Sequence, residues 1–153
     1  MGSSWRRVVL TGLLLVLPAA CVAHPVGPAR TVAKYEGKAA TTAKSALSVV
    51  ETVRLVVRAA AEGKVIGTYV DVVVTDAEES LDGLSGTFGS IQPPAERADR
   101  VREALAGILD DALGHVADVR IAARRGDLAD VGRVAEPLAH DADVLRHFIE
   151  GRA

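Results

Sequence analysis

A single cysteine, Cys21, stands in the 153 residues, so no disulfide can form within one chain. Cohesion must then come from a packed core, which a chain of this size can build. Aromatic residues make up only 3%, too few for the stacking platform that single-stranded nucleic acid needs. Neither sign of charge is in surplus. The chain has 18 Lys and Arg against 20 Asp and Glu, net −2, which argues against a nucleic-acid partner and against a polybasic membrane patch. Long apolar runs are missing as well. The longest, Val8 to Leu17, falls well short of the ~20 residues that cross a bilayer. There is no nucleophile elbow, no H-E-x-x-H and no P-loop, so no catalytic residue is assigned and no cofactor is expected. Gly83-Leu84-Ser85-Gly86 lacks the Lys and the preceding strand of a phosphate loop, so its glycines read as helix-weakening or close-packing residues.

What is present begins with an export signal. Arg6 and Arg7 precede the short apolar run, and small residues follow it, which is the layout of a secretory signal peptide. Two cuts compete. Ala19-Ala20-Cys21 resembles a bacterial lipobox, in which the cysteine is lipidated, although Pro18 stands where Leu is usual. Cys21 and Ala23 also form the small-residue pair of an ordinary cleavage site before His24. Either route removes the free thiol. Two of the 18 basic residues leave with the signal, so the remaining chain is more acidic than the net −2. Arg6-Arg7 also fits a twin-arginine signal, and the pair does not separate the two export routes. The expected organisation is a signal peptide at 1–23, cut before Cys21 or after Ala23, a linker or tether at 24–30, and a helical bundle at 31–153.

The rest alternates apolar and polar residues with the period of a helix. Ala39, Ala43, Ala46, Val50, Val53, Val57 and Ala60 give the first helix a seam between Thr31 and Glu62. Glu51–Arg54 and Arg58–Glu62 are its expected surface pairs, and Gly63 its terminator. The β-branched run Val70 to Val74 could be a strand by propensity. The rhythm Ile66, Val70, Val73, Ala77, Leu81, Leu84, Phe88, Ile91 is too long for one and predicts a second helix. Gly83, Gly86 and Gly89 should weaken its end, where Pro93-Pro94 stop it. A third helix spans about Ala95 to Arg125, with Ala98, Val101, Leu105, Ile108, Ala112, Val116 and Val119 inward and Gly126 as its cap. Asp127 reads as the N-cap of a fourth, Leu128 to Glu150. Its stripe is Leu128, Val131, Ala135, Leu138, Ala142, Leu145 and Ile149, and Pro137 should kink it near Arg133–Pro137. The predicted fold is all-α, an antiparallel up-down four-helix bundle.

The export signal, the Tyr35-Glu36-Gly37-Lys38-Ala39 start and Ser90-Ile91-Gln92-Pro93-Pro94 resemble exported, lipoprotein-like helical proteins of actinobacteria. That resemblance implies a helical bundle outside the cytoplasm and no particular activity.

Two histidine clusters have metal-ligand spacing. His140, Asp143 and His147 share a helix face, but it points away from the Leu138/Ala142/Leu145 stripe. The two histidines are also about 10 Å apart along the axis. A solvated face is the simpler reading. His115, with Asp111 and Asp118 nearby in sequence, flanks its seam and reads as a half-buried histidine bonded to a carboxylate. Tyr35 and Tyr69 read as core-edge aromatics with their hydroxyls in water. Val49, Leu55, Val56, Val72 and Val74 lie outside the seams, where they either pack inside or form a groove for a partner. The functional expectation is a non-catalytic, exported cell-envelope bundle that works by binding a protein partner or by self-association. Its membrane contact would come only through a lipid on Cys21. The alternative is a bundle that binds a metal or small ligand through His115 or the His140/Asp143/His147 face.

Overall fold

The computed structural model describes residues 28–126 and 128–151, with the backbone alone at 128 and 129. Five helical segments follow one another: α1 (Val32–Ala61), α2 (Gly67–Gly89), α3 (Glu96–Arg124), α4 (Leu128–Val134) and α5 (Pro137–Glu150). The described residues contain no strand. The last two segments are one helix interrupted, so the architecture is the expected all-α four-helix bundle. The signal peptide, Cys21, most of the linker and Asp127 lie outside the described residues.

Local chemistry sets the helix ends. Thr31 caps α1 by accepting from the Lys34 N–H at 3.2 Å. Gly63 ends the same helix at φ +70°, with Gly63 N–H donating to Ala60 and Lys64 N–H to Ala59. That paired pattern requires a left-handed residue, which glycine supplies at least cost. Gly126, at φ +77°, plays the same part after α3. At the predicted kink, Pro137 has no N–H to give. Glu136 and Leu138 reach back only three residues, to Arg133 and Ala135, and the α-helical ladder is cut.

Ion pairs mark the directions of the helices. Arg97 at the start of α3 meets Glu36 at the start of α1, so those two helices run parallel. Arg124 at the end of α3 meets Asp71 at the start of α2, and Arg120 meets Glu78, so α2 and α3 are antiparallel. Arg146 of α5 reaches Glu51 of α1. α1 packs on α2, α5 and, across the middle, α3. The close α1–α3 diagonal follows from small residues: Ala39, Ala43 and Ala46 on one side, Ala98 and Ala112 on the other, all fully buried. α2 stands outside this diagonal, packed on α1 and α3.

The core departs from the expected seams at neighbouring positions. Val74 and Leu109 are buried, while Val73 and Ile108 are only partly so. Phe148 replaces Ile149 as the buried residue at the end of α5. Ile66 was expected in the seam but is exposed, because it precedes the first turn of α2 and acts as the N-cap. Glu51 pairs with Arg54 as expected. Glu62 does not pair with Arg58: it sits at the C-cap, off the helical spacing, and meets Lys64. α2 continues as a helix through all three of its late glycines. A Cβ at Gly83, Gly86 or Gly89 would meet nothing within 4 Å, so close packing is not their role.

Candidate interaction surface

The histidine sites come out differently from each other. His140, Asp143 and His147 are exposed, as their direction on α5 requires. The His147 ring Nδ1 lies 2.8 Å from the Asp143 carbonyl oxygen of its own helix, and the Asp143 carboxylate is taken by Arg146. Among the described residues no group of three His, Cys, Asp or Glu side chains is placed to hold a metal ion. His115 is bonded to a carboxylate, but not one on its own helix. Its Nδ1 lies 2.7 Å from Oδ2 of Asp141 on α5, and Asp141 is only 4% exposed. Asp141 was missed in the sequence. The signal was there: three residues after Leu138 and four before Leu145, it occupies the buried stripe.

Tyr35 is a correction. Its side chain is fully buried, its ring leans on Phe88 at 5.4 Å, and its hydroxyl has no hydrogen-bond partner. Burial pushes that hydroxyl above the ordinary tyrosine value of 10.0; Arg102 opposes the shift and Asp99 adds to it. Tyr35 lies one turn inside α1 and faces the α1–α3 diagonal, where it is enclosed rather than at an edge. Tyr69, by contrast, is exposed.

The side chains whose placement the periodicity left open now divide. Val56 and Val74 pack inside. Leu55 remains 63% exposed and Val72 52%, joined by Ile66 at 73% and Tyr69 at 53%. Tyr69 and Val72 lie one turn apart on α2, with Ile66 just before that helix and Leu55 near the end of α1. A shallow groove of about 230 Å³ runs between α1 and α2, lined by Val49, Thr52, Val73, Asp76, Ala77 and Ser80. Leu55 lies one turn beyond Thr52 on α1, and Tyr69 one turn before Val73 on α2, so both carry the groove towards the α1–α2 loop. On α1 the outer residues around Leu55 mix Thr41, Ser45 and Ser48 with the charged Lys44 and Arg58. Asp76 is the one ionisable carboxylate lining the groove.

The opposite flank of α2 is unlike this. Asp71 and Glu78 are bound to α3 arginines, and the hydrogen bonds to Glu78 hold the Arg120 guanidinium charged beyond its ordinary range. A second depression, about 270 Å³, lies between α1 and the α4–α5 break. Arg54 and Arg58 face Glu136 there across Val57, Gly132 and Ala135. Its two signs of charge leave it no marked preference for a ligand.

The hydroxyls of Thr41, Thr52, Ser80 and Ser90 donate to carbonyls of their own helix, so they are not held towards a histidine or carboxylate base. No helix among the described residues is long and apolar enough to cross a membrane. No protein-family model, curated protein or solved structure matches the chain. The molecule is a four-helix bundle, and what it does must be sought in its own surface.

Proposed function

We propose that this chain is a non-catalytic, exported helical bundle that acts at the cell envelope by binding or assembly, through the outer face of α1 and α2. One observation carries this reading. Leu55, Ile66, Tyr69 and Val72 are all more than half exposed, on a face whose groove holds the single charge of Asp76. Single exposed apolar residues are ordinary; several around one helix–helix connection favour a covered surface. Export rests on Arg6-Arg7, the short apolar run Val8–Leu17 and the small residues around Cys21.

Two measurements test the two halves. Intact-mass analysis of membrane and secreted fractions is expected to find an N-terminus at lipid-modified Cys21 or at His24. Chains that keep Met1 in the cytoplasm would overturn export. Hydroxyl-radical footprinting of Tyr69 and Leu55 is expected to show protection in intact cells that is lost on purification and dilution. Equal labelling in both states would overturn the binding face.

A further inference from the structure

We infer that the outer face of the first half of α1 docks on an anionic lipid surface; the inference rests on the export reading above and names where the exported bundle sits. It starts from how charge is distributed. The near-zero net charge is an average over the whole chain. Between Pro28 and Ser48 stand four basic residues, Arg30, Lys34, Lys38 and Lys44, and one acidic residue, Glu36. Glu36 is taken by Arg97 of α3. None of the four cations has an ion-pair partner among the described residues. On the helix Lys34 and Lys38 are one turn apart, and Lys44 follows on the outward side, roughly 80° round from Lys34. The buried residues Tyr35, Ala39, Ala43 and Ala46 occupy the opposite side. The other exposed positions here are Gly37, Thr41, Ser45 and Ser48, so no carboxylate interrupts the lysines.

The flanking helices do not cancel this field. The end of α2 lies beside this half of α1, as the Tyr35–Phe88 contact shows. From Ser80 to Gly89 its only carboxylate is Asp82, which with Glu79 lines the depression between α2 and α3. α5 meets Glu51 through Arg146, and beyond that point it adds Glu150 alone. This side therefore keeps a cationic surplus.

Position says which anion fits. Arg30 follows Cys21 by nine residues, a span of at most about 30 Å. An N-terminus held by lipid at Cys21 keeps the four cations within reach of the headgroups, at high effective concentration. One lipid chain alone holds weakly, and a basic patch supplies a second contact. Each Lys or Arg beside an anionic bilayer adds about fivefold to partition. Leu55 lies about 30 Å further along α1 than Lys34, so docking here leaves the apolar residues around the α1–α2 connection open to a partner.

Amine acylation read by peptide mass tests this on the mature protein as export leaves it. Lys64, at the far end of α1 and paired with Glu62, is the control within the same molecule. On phosphatidylcholine–phosphatidylglycerol vesicles at low salt, Lys34, Lys38 and Lys44 are expected to react at least about threefold more slowly than on phosphatidylcholine alone, with Lys64 unchanged. The difference should vanish at about 0.5 M salt. Equal rates on the two vesicles overturn the docking face. Equal slowing of all four lysines overturns its placement. Slowing by soluble polyphosphate with none by the vesicles overturns the lipid and points to an anionic polymer. Lys34→Gln with Lys38→Gln is expected to lower partition into the anionic vesicles about thirtyfold at unchanged helicity, with Lys64→Gln without effect; unchanged partition of the double variant overturns the proposal. A retained Met1 in the intact-mass measurement overturns export separately and does not alter the vesicle results.

Discussion

His115 on α3 and Asp141 on α5 share a 2.7 Å hydrogen bond at the edge of the core, with the carboxylate nearly enclosed and the imidazole about a third exposed. An ionised carboxylate can only accept, so Nδ1 carries the proton. The pair is a polar link between the interrupted fourth helix and α3. α5 is short, and its other buried residues are Leu138, Ala142, Leu145 and Phe148.

The consequence can be measured as a coupling. His115→Ala strands the Asp141 carboxylate in the core and is expected to cost about 1–3 kcal/mol. Partial exposure of the imidazole places the value towards the lower end. In an Asp141→Asn background the same substitution is expected to cost less, since the amide leaves no buried charge behind. Urea unfolding of the four proteins at one pH gives the coupling, and strict additivity would show that the two side chains do not support each other.

Tyr35 gives the opposite sign. Its hydroxyl is buried without a partner, so its burial costs free energy that no hydrogen bond offsets. Tyr35→Phe keeps the ring against Phe88 and is expected to leave stability unchanged or raise it by up to about 1 kcal/mol, whereas Tyr35→Ala should lose about 3–5 kcal/mol. Because the folded hydroxyl titrates above its ordinary value of 10.0, the folded state holds its proton longer than the unfolded one. The associated stability is complete below about pH 10 and is lost as pH rises further. Thermal melts from about pH 9 to 11 should therefore fall more steeply for the natural chain than for Tyr35→Phe. Parallel curves would mean the hydroxyl finds a partner or water.

How far the chain could be read beforehand depends on what each residue's position required. Helix existence was legible because the three- and four-residue rhythm runs unbroken through α1, α2 and α3. The interruption of the fourth helix was legible because Pro137 lacks a donor. The choice between Val73 and Val74, or Ile108 and Leu109, was not. Adjacent residues differ by about 100° on a helix, and which one turns inward depends on how closely α1 and α3 cross. The groove between α1 and α2 needed the pairing of the helices before it could be located. The partner of His115 needed the same, since Asp111 and Asp118 were nearer in sequence and Asp141 only in space.

The late glycines of α2 offer a stabilising change. Gly83 and Gly86 are helical, with open space where a Cβ would stand. Alanine at either is expected to stabilise by about 0.5–1 kcal/mol, chiefly by narrowing the unfolded ensemble. Gly63→Ala is the control of opposite sign, because φ +70° strains any side chain there. Melting temperatures of the three variants check the ordering, and a destabilised Gly86→Ala would show that the helix end is not held as described.

Arg102 holds that same end from outside. Its guanidinium donates to the Gly89 carbonyl at 2.9 Å, across from α3 to the last residue of α2. The last carbonyls of a helix have no partner within it, and a cation placed there also complements the negative end of the helix dipole. Gly83 and Gly86 upstream, and Gly89 itself, make this terminus dependent on such help. Arg102→Ala is expected to cost about 1 kcal/mol overall. Its clearer mark is local: faster amide hydrogen exchange over residues 86–90, with protection in α1 and in the middle of α3 little changed. Arg102→Lys, which keeps the charge but not the planar fork, should recover only part of the protection. Exchange that rises equally throughout the bundle would show that Arg102 acts on global stability and not on the end of α2.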